Sequence, residues 1–304
     1  QVPEDIAKRI PKGVRLVYWD YYHKEKDFYK EFIQRYRKLG SEPIFEGAIW
    51  YGYGFCPNYG KTFLSTNAAL MACKEEKVQE VFATIWNDDG SEKILYSSLL
   101  GLQLFAEHGY NKDVSAPRLK ERFEFCNQAS YDAFMALKYL DETPGTQQDN
   151  WENYRPSKYL LWQDLLLGLF DANVKGLPLN QHYSWLANQY GVYKQDQKWS
   201  SFFNFYQNLA LVLAQKSELG NRISDYYRTG KRSALEEVVA KDLPALQRQI
   251  HLLREAHREL WHALYKPFGW EVLDIRYGGL LVRVDTVLWR LKDYLAGEIE
   301  SIPE

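Results

Sequence analysis

The chain has few of the residues that mark small secreted or fibrous proteins. Its three cysteines are an odd number without a short C-x-x-C spacing, which argues against a disulfide framework or a cysteine-based zinc site. A reducing, cytoplasmic setting is therefore expected. With 19 glycines and 11 prolines among 304 residues, the chain is also unlike collagen or a low-complexity protein.

Two further absences limit the partners. The net charge of −2 leaves no basic excess, so neither nucleic acid nor an anionic membrane surface is expected as a partner. No apolar run approaches the roughly 20 residues that a membrane-spanning helix needs. There is no signal peptide at the start, and the chain begins with Gln1 rather than Met. We therefore expect a segment of a longer protein.

Histidine and aromatic residues are the remaining compositional clues. His251, His257 and His262 lie on one predicted helix, but their separations differ from the i, i+4 spacing of a two-histidine zinc site. No metal site and no cofactor are expected. Aromatic residues make up 16% of the chain, which fits either a large core or a sugar-binding surface.

The first part of the chain alternates strand and helix signals. Strands are predicted at residues 14–19, 43–50 and 78–86, and helices at residues 25–39, 65–76 and 94–108. Repeated strand–helix units imply parallel strands with crossover connections. Residues 1–112 therefore form either a small open α/β sheet or the last three units of a (β/α)8 barrel.

The second part lacks strand signals. Helical patterns separated by Gly and Pro turns cover residues 116–140, 154–173, 181–190, 200–227, 233–264 and 276–299. The fold class is therefore α/β followed by all-α, with a helical bundle over residues 113–304.

Function in parallel α/β folds lies beyond the carboxyl ends of the strands. Tyr18 and Asp20 share one face there by strand alternation, as do Trp86 and Asp88, and Trp50 ends the middle strand. Aromatic rings stack on the C–H face of a pyranose and carboxylates accept hydrogen bonds from its hydroxyls. We therefore predict that all three strands line one sugar pocket.

The segment after the third strand allows a second interpretation. Glu92 arrives at the start of the next helix, and Asp88, Asp89 and Ser91 precede it. Acidic and hydroxyl side chains are also favoured as helix caps. Sugar binding and capping both stay open for this segment.

Several of these motifs resemble a known family. The segments LVYWDYY (16–22), FEGAIW (45–50) and ATIWNDDGSE (83–92) are similar to the last three barrel strands of glycoside hydrolase family 20, the β-N-acetylhexosaminidases. The segments KYLLWQD (158–164), GLFD (168–171) and KPFGWEVLDIRYGG (266–279) resemble the helical C-terminal domain of its bacterial branch. The resemblance covers essentially the whole chain and implies a TIM-type barrel end followed by a helical domain.

The resemblance implies a retaining exo-β-N-acetylhexosaminidase that removes terminal β-linked GlcNAc or GalNAc by substrate-assisted catalysis. It assigns to Tyr18 a hydrogen bond to the acetamide carbonyl, to Asp20 the sugar hydroxyls, and to Trp50 a wall of the acetamide pocket. Trp86 would stack beneath the ring, with Asp88 or Glu92 at its O4/O6 side. The family's Trp-x-Glu is Trp-x-Asp here, which leaves that choice open.

The family's catalytic Asp-Glu pair belongs upstream of this chain. The later pair, Asp141-Glu142, follows no strand, and we interpret it as a solvated helix end. We therefore expect the segment to be inactive alone and to need the missing barrel segment for solubility and activity. A second copy of the chain is a further candidate partner, because an appended helical domain often forms an interface.

The sequence is also compatible with two other classes of function. A non-catalytic carbohydrate-binding or interaction module would use the same aromatic strand ends without cleaving. An unrelated α/β enzyme with a helical cap is the third interpretation. A strand ending in Asp-Glu directly before Gln1 would favour the hydrolase.

Overall fold

The structure is a computed structural model, and it describes residues 9–52, 54–86 and 92–303. Its contacts divide the chain into two compact units. The first unit is Gln1–Lys138 with Gln148–Asn153, and the second is Tyr139–Gln147 with Tyr154–Glu304. This division falls after residue 138, and the domain boundary at residues 112 and 113 stays a prediction.

A parallel sheet forms the centre of the first unit. The order β1-β2-β3 follows the chain, and both strand pairs are parallel. The expectation of three parallel strands alternating with helices is confirmed, with strands shorter than predicted. The elements of this unit are β1 Val17–Trp19, α1 Lys26–Arg37, β2 Ile44–Ile49, α2 Tyr59–Glu75, β3 Val81–Ile85, α3 Leu99–Tyr110, α4 Ala116–Asn127 and α5 Tyr131–Met135.

Helix α2 begins six residues before the predicted start. Asn58 supplies the N-cap, because its side-chain oxygen accepts a hydrogen bond of 3.0 Å from the backbone N–H of Lys61. The Gly- and Tyr-rich loop that precedes α2 is correspondingly shorter than the sequence suggests. This early start places the first turn of α2 directly beyond the end of β2.

Helices cover one face of the sheet. Tyr18 of β1 and Phe45 of β2 are paired in register and pack with Tyr29 and Ile33 of α1 in one buried cluster. On β2, a Cβ atom added to Gly47 would lie 2.9 Å from the ring of Phe105, so α3 comes close to the backbone of β2. Tyr18 and Phe45 therefore lie on the face of the sheet that packs against α1 and α3.

The opposite face of the sheet carries exposed aromatic side chains. Trp19 is paired in register with Glu46, and Glu46 with Phe82, so these residues share the second face. Trp19 is 50% exposed and Phe82 is 42% exposed. One face of the sheet thus belongs to the core, and the other presents large apolar side chains to solvent.

The described residues of the second unit form helices joined by turns, and no strand lies among them, as predicted. Its helices are α6 Pro156–Trp162, α7 Asp171–Val174, α8 Leu179–Tyr193, α9 Ser200–Lys216, α10 Leu219–Arg228, α11 Arg232–Glu237, α12 Leu243–Leu264 and α13 Trp270–Ala296. The predicted helix at residues 154–173 is broken, because Gln163 is extended and Gly168 has a φ of 52°. Helix α13 starts earlier than predicted, directly after Gly269 with a φ of 99°.

The Asp141-Glu142 pair differs from its prediction. Asp141 is buried, and its carboxylate lies 3.2 Å from the buried guanidinium of Arg155. It also accepts hydrogen bonds from the backbone N–H and the hydroxyl of Ser157, at 3.0 and 2.6 Å. The interpretation of Asp141 as a solvated helix end is wrong, because the carboxylate caps the start of α6 and neutralises a buried charge.

A lysine is fully buried where α9 ends. Lys216 donates hydrogen bonds to the backbone carbonyls of Leu160 and Gln163, at 2.8 and 2.6 Å. Burial lowers the pKa of Lys216 from 10.5 to about 7, and the nearby carboxylates of Asp164 and Asp171 offset part of that effect. The lysine side chain therefore ties the C-terminal end of α6 to the core of the second unit.

Every helix in the described ranges is too short or too polar to cross a bilayer. Within the same ranges, no group of three or more His, Cys, Asp or Glu side chains is placed to hold a metal ion.

The buried lysine predicts a pH dependence of folding stability. Between pH 7 and 10.5 the unfolded chain keeps the Lys216 proton that the folded protein has lost, so stability rises with pH. The free energy of unfolding of the wild type, minus that of Lys216→Met, should rise by up to about 1.4 kcal/mol per pH unit in this window. Denaturant titrations at several pH values measure it.

Lys292→Met, at an exposed position on α13, provides the matched control and should give a difference that is flat with pH. A difference between wild type and Lys216→Met that is constant from pH 7 to 10 would contradict the assignment.

Candidate functional site

Five aromatic side chains meet at the carboxyl ends of the three strands. We call Trp19, Tyr21, Tyr22, Trp50 and Trp86 the strand-end aromatic cluster. The ring centroids of Trp19 and Trp86 are 5.4 Å apart, and those of Tyr21 and Trp50 are 5.2 Å apart. Trp19 joins the two pairs through Tyr21, at 5.9 Å. The cluster therefore crosses all three strands at the edge where parallel α/β folds place their sites.

Trp50 is held from several sides. Its indole N–H donates a hydrogen bond of 2.9 Å to the backbone carbonyl of Tyr21, and its backbone N–H donates to the hydroxyl of Thr62 at the same distance. The rings of Tyr21 and Tyr22 meet it edge-on. Trp50 is thus fixed at the end of β2, and its role as a pocket wall stays a prediction.

Trp86 offers ring surface to a ligand. It is 39% exposed, and its nearest aromatic neighbour is Trp19, which sequence reasoning missed. Alternation along the parallel register could have revealed Trp19, because it pairs with Glu46, whose face was expected to include Trp50. The two indoles together form a broader platform than Trp86 alone.

Tyr18 lies on the other face of the sheet. Its side chain is 2% exposed, and its ring packs against Phe32 and Tyr36 of α1 and Phe45 of β2. The expectation that Tyr18 shares a face with Trp50 and Trp86 is wrong, because the aromatic side of α1 binds the Tyr18 ring. Its role toward a substrate stays a prediction.

Asp20 connects the core face to the site. It follows β1, is buried, and accepts a hydrogen bond of 3.0 Å from the hydroxyl of Tyr18. It also accepts from the backbone N–H of Tyr22 at 2.9 Å and lies 3.0 Å from Nδ1 of His23. The carboxylate is therefore fixed in direction beside the strand-end aromatic cluster.

Burial sets the protonation of the tyrosines. Burial, with the Asp20 carboxylate as a second cause, holds the pKa of Tyr18 far above its usual value. Burial and a hydrogen bond with Tyr22 likewise raise the pKa of Tyr21. The raised pKa of Tyr18 agrees with a hydroxyl that stays protonated and donates to Asp20.

Of the two acidic candidates after β3, only Glu92 is among the described residues. Asp88 lies outside the described residues, as do Asp89 and Ser91. Glu92 is described and fully buried. The choice between Asp88 and Glu92 at the sugar therefore stays a prediction.

A large groove lies elsewhere in the protein. It has a volume of about 950 Å³ and is lined by α9 and α12 of the second unit, with Asn208, Gln249 and Glu259 among its side chains. Its described lining includes no Trp, Tyr or Phe, the side chains that offer the largest ring faces for stacking against a sugar. The exposed Trp side chains of the first unit lie at the strand ends instead, and a pyranose site there stays a prediction.

Comparison with known proteins identifies the helical part of the chain. Residues 132–304, more than half of the sequence, match the model of the Glycoside Hydrolase 20C C-terminal domain. The chain therefore belongs to glycoside hydrolase family 20, in the group that carries this domain. The resemblance inferred from the helical motifs is confirmed. A comparison with curated proteins gave no match.

The contact between Tyr18 and Asp20 gives a stability prediction. Tyr18→Phe removes a buried hydrogen bond to a carboxylate and should lower the free energy of unfolding by about 1.5–3 kcal/mol. Tyr36→Phe is the matched control, since this half-buried neighbour makes no hydroxyl hydrogen bond among the described residues. Equal stability of Tyr18→Phe and the wild type in denaturant titrations would refute this account of the contact.

Proposed function

We propose that the chain is the C-terminal part of a retaining exo-β-N-acetylhexosaminidase that acts on terminal β-linked GlcNAc or GalNAc. The observation that carries this proposal is the strand-end aromatic cluster, which lies at the carboxyl edge of a parallel sheet directly before the family 20C domain. Family membership supports glycoside hydrolysis, and the cluster supports a pyranose substrate.

We further propose that the sheet forms the last three strands of a (β/α)8 barrel. Two features support this. The strands are parallel and in chain order, and helices pack against the face that carries Tyr18 and Phe45. The exposed Trp19 and Phe82 would then face the barrel interior, where five upstream strands would cover them. The missing barrel segment is therefore the proposed partner of β1 and β3.

The site residues have distinct proposed roles. Trp86, with Trp19 beside it, would stack under the sugar ring, and Trp50 would wall the acetamide. Asp20 would accept hydrogen bonds from sugar hydroxyls, together with Asp88 or Glu92 at the O4/O6 side. For Tyr18 the resemblance proposes an acetamide contact, while the observed bond to Asp20 supports a role in orienting that carboxylate.

The proposed reaction uses the substrate's own nucleophile. The 2-acetamido carbonyl oxygen would attack C1 while an upstream glutamic acid protonates the departing glycosidic oxygen, giving a cyclic oxazolinium intermediate. Water would then open this ring at C1 and give its proton to the same glutamate, with retention at C1. This scheme is the known exception to retaining hydrolysis by two carboxylates. The described residues would bind and orient the sugar.

A non-catalytic carbohydrate-binding module is the second candidate. It is favoured by the state of the Asp141-Glu142 pair, the one Asp-Glu pair in the sequence. Asp141 is buried against Arg155 and cannot serve a substrate there. Binding of GlcNAc without hydrolysis by the complete gene product would support this candidate.

Activity of defined lengths of the protein tests the proposed hydrolase. Residues 1–304 alone should not hydrolyse an aryl β-GlcNAc, because the acid and its orienting aspartate are proposed to lie upstream. Supplying the upstream segment, in the same chain or as a separate fragment, should produce hydrolysis. Hydrolysis by residues 1–304 alone would contradict the proposal that the catalytic acid lies upstream. Inactivity of the complete protein on aryl β-GlcNAc and β-GalNAc would contradict the proposed enzyme activity.

Replacing the proposed platform tests the site. Trp86→Ala should weaken GlcNAc binding by roughly tenfold or more, since a Trp at a binding centre contributes strongly. Trp289→Ala is the matched control, because Trp289 is also exposed but lies on α13. Calorimetric titration of the complete gene product with GlcNAc measures the affinity of both variants. Unchanged affinity in Trp86→Ala, or an equal loss in the control, would place the sugar elsewhere.

A further inference from the structure

A short segment from the middle of the chain contacts the start of α2. The side-chain N–H groups of Asn58 donate to the backbone carbonyl of Asn150 at 2.8 Å and to the side-chain oxygen of Asn153 at 3.1 Å. A Cβ atom added to Gly60 would lie 2.4 Å from the Asp149 backbone, so the two segments touch directly. We call residues 148–153 the strap, and it belongs to the first unit.

The strap has a defined backbone conformation. Asp149, Asn150 and Asn153 have φ values of 61°, 41° and 63°, in the left-handed region that Asp and Asn tolerate best among residues with side chains. Such a conformation persists where surrounding contacts hold it. The bonds to Asn58 and the close approach at Gly60 provide those contacts.

The strap brings a tryptophan to a buried lysine. Lys61 is 8% exposed, and its ammonium lies 4.0 Å from the ring centroid of Trp50 and 4.7 Å from that of Trp151. Cation–π attraction is strongest when the ammonium is withdrawn from water, as it is here. Lys61 therefore joins a residue of the strand-end aromatic cluster to the strap.

These contacts restrict the Trp50 indole. Its indole N–H donates a hydrogen bond to the backbone carbonyl of Tyr21, and this bond holds one edge of the indole. Contacts on the face of the ring then determine how the indole is oriented about that edge. The Lys61 ammonium lies over that face, and the ring of Trp151 contacts the same ammonium. Removing the charge would weaken one of the contacts that fix the indole, and a less rigid wall binds a rigid ligand less well.

We propose that Lys61 and Trp151 are positioning residues that fix the Trp50 indole as a wall of the sugar site. The effect on sugar affinity rests on the proposed function, whereas the orientation of Trp50 does not. Lys61 acts through Trp50 and Trp151 acts through Lys61, so neither needs to touch the sugar.

The experiment uses the complete gene product that contains these 304 residues, with 15N-labelled tryptophan. The indole N–H resonance of Trp50 is identified by its loss in Trp50→Phe. Lys61→Met keeps a long apolar side chain without the charge, and should shift this resonance and weaken GlcNAc binding by roughly tenfold. Lys61→Arg should restore both, and Trp151→Leu should repeat the Lys61→Met effect. Lys30→Met, which removes an exposed lysine paired with Glu75, should change neither.

Two results would overturn the proposal. One is an unchanged Trp50 resonance in both Lys61→Met and Trp151→Leu. The other is a shifted resonance that Lys61→Arg does not restore, because charge would then not be what holds the indole. Failure of the proposed function looks different, since the unsubstituted protein would not bind GlcNAc. In that case the Trp50 resonance alone decides whether Lys61 positions the ring.

Discussion

The packing of Tyr18 and Phe45 against α1 is the contact on which the rest of the first unit depends. Side chains alternate along a strand. Because the Tyr18 and Phe45 rings pack on the face covered by α1, the adjacent residues of each strand lie on the opposite face. Trp19 and Phe82 are exposed for this reason. The same constraint places the Tyr18 hydroxyl beneath Asp20, where it directs that carboxylate. The packing of Tyr18 and Phe45 against α1 therefore determines both the core and the position of the candidate site.

A sheet with one covered face and one aromatic, exposed face connects the fold to the proposed function. Parallel strands are normally buried on both faces, so the exposed side of β1 to β3 calls for a partner. Upstream barrel strands would supply it and would also bring the acid that the described residues lack. Under the proposed function, the family 20C domain in residues 132–304 and the aromatic edge in the first unit would belong to one enzyme. Within this picture the strap and Lys61 extend the site to residues far away in sequence.

Sequence reasoning recovered the parallel strands and the helical second part, because periodicity and turn residues are local signals. It misplaced Tyr18, since β1 is only three residues long, reads Val-Tyr-Trp, and has no polar residue to mark its solvent side. It misjudged Asp141 because the partner, Arg155, lies 14 residues away across a turn. Lys61 and Trp151 leave no local pattern, and only the tertiary structure brings them together. The match to the family confirmed the resemblance in the helical part alone.

The position of bound sugar shows whether the strand-end aromatic cluster forms the sugar site. A crystal structure of the complete gene product with GlcNAc should show the pyranose ring stacked on Trp86, with hydroxyls on Asp20 and the acetamide beside Trp50. Sugar bound only in the groove lined by α9 and α12, or no sugar at the strand ends at saturating concentration, would contradict the account.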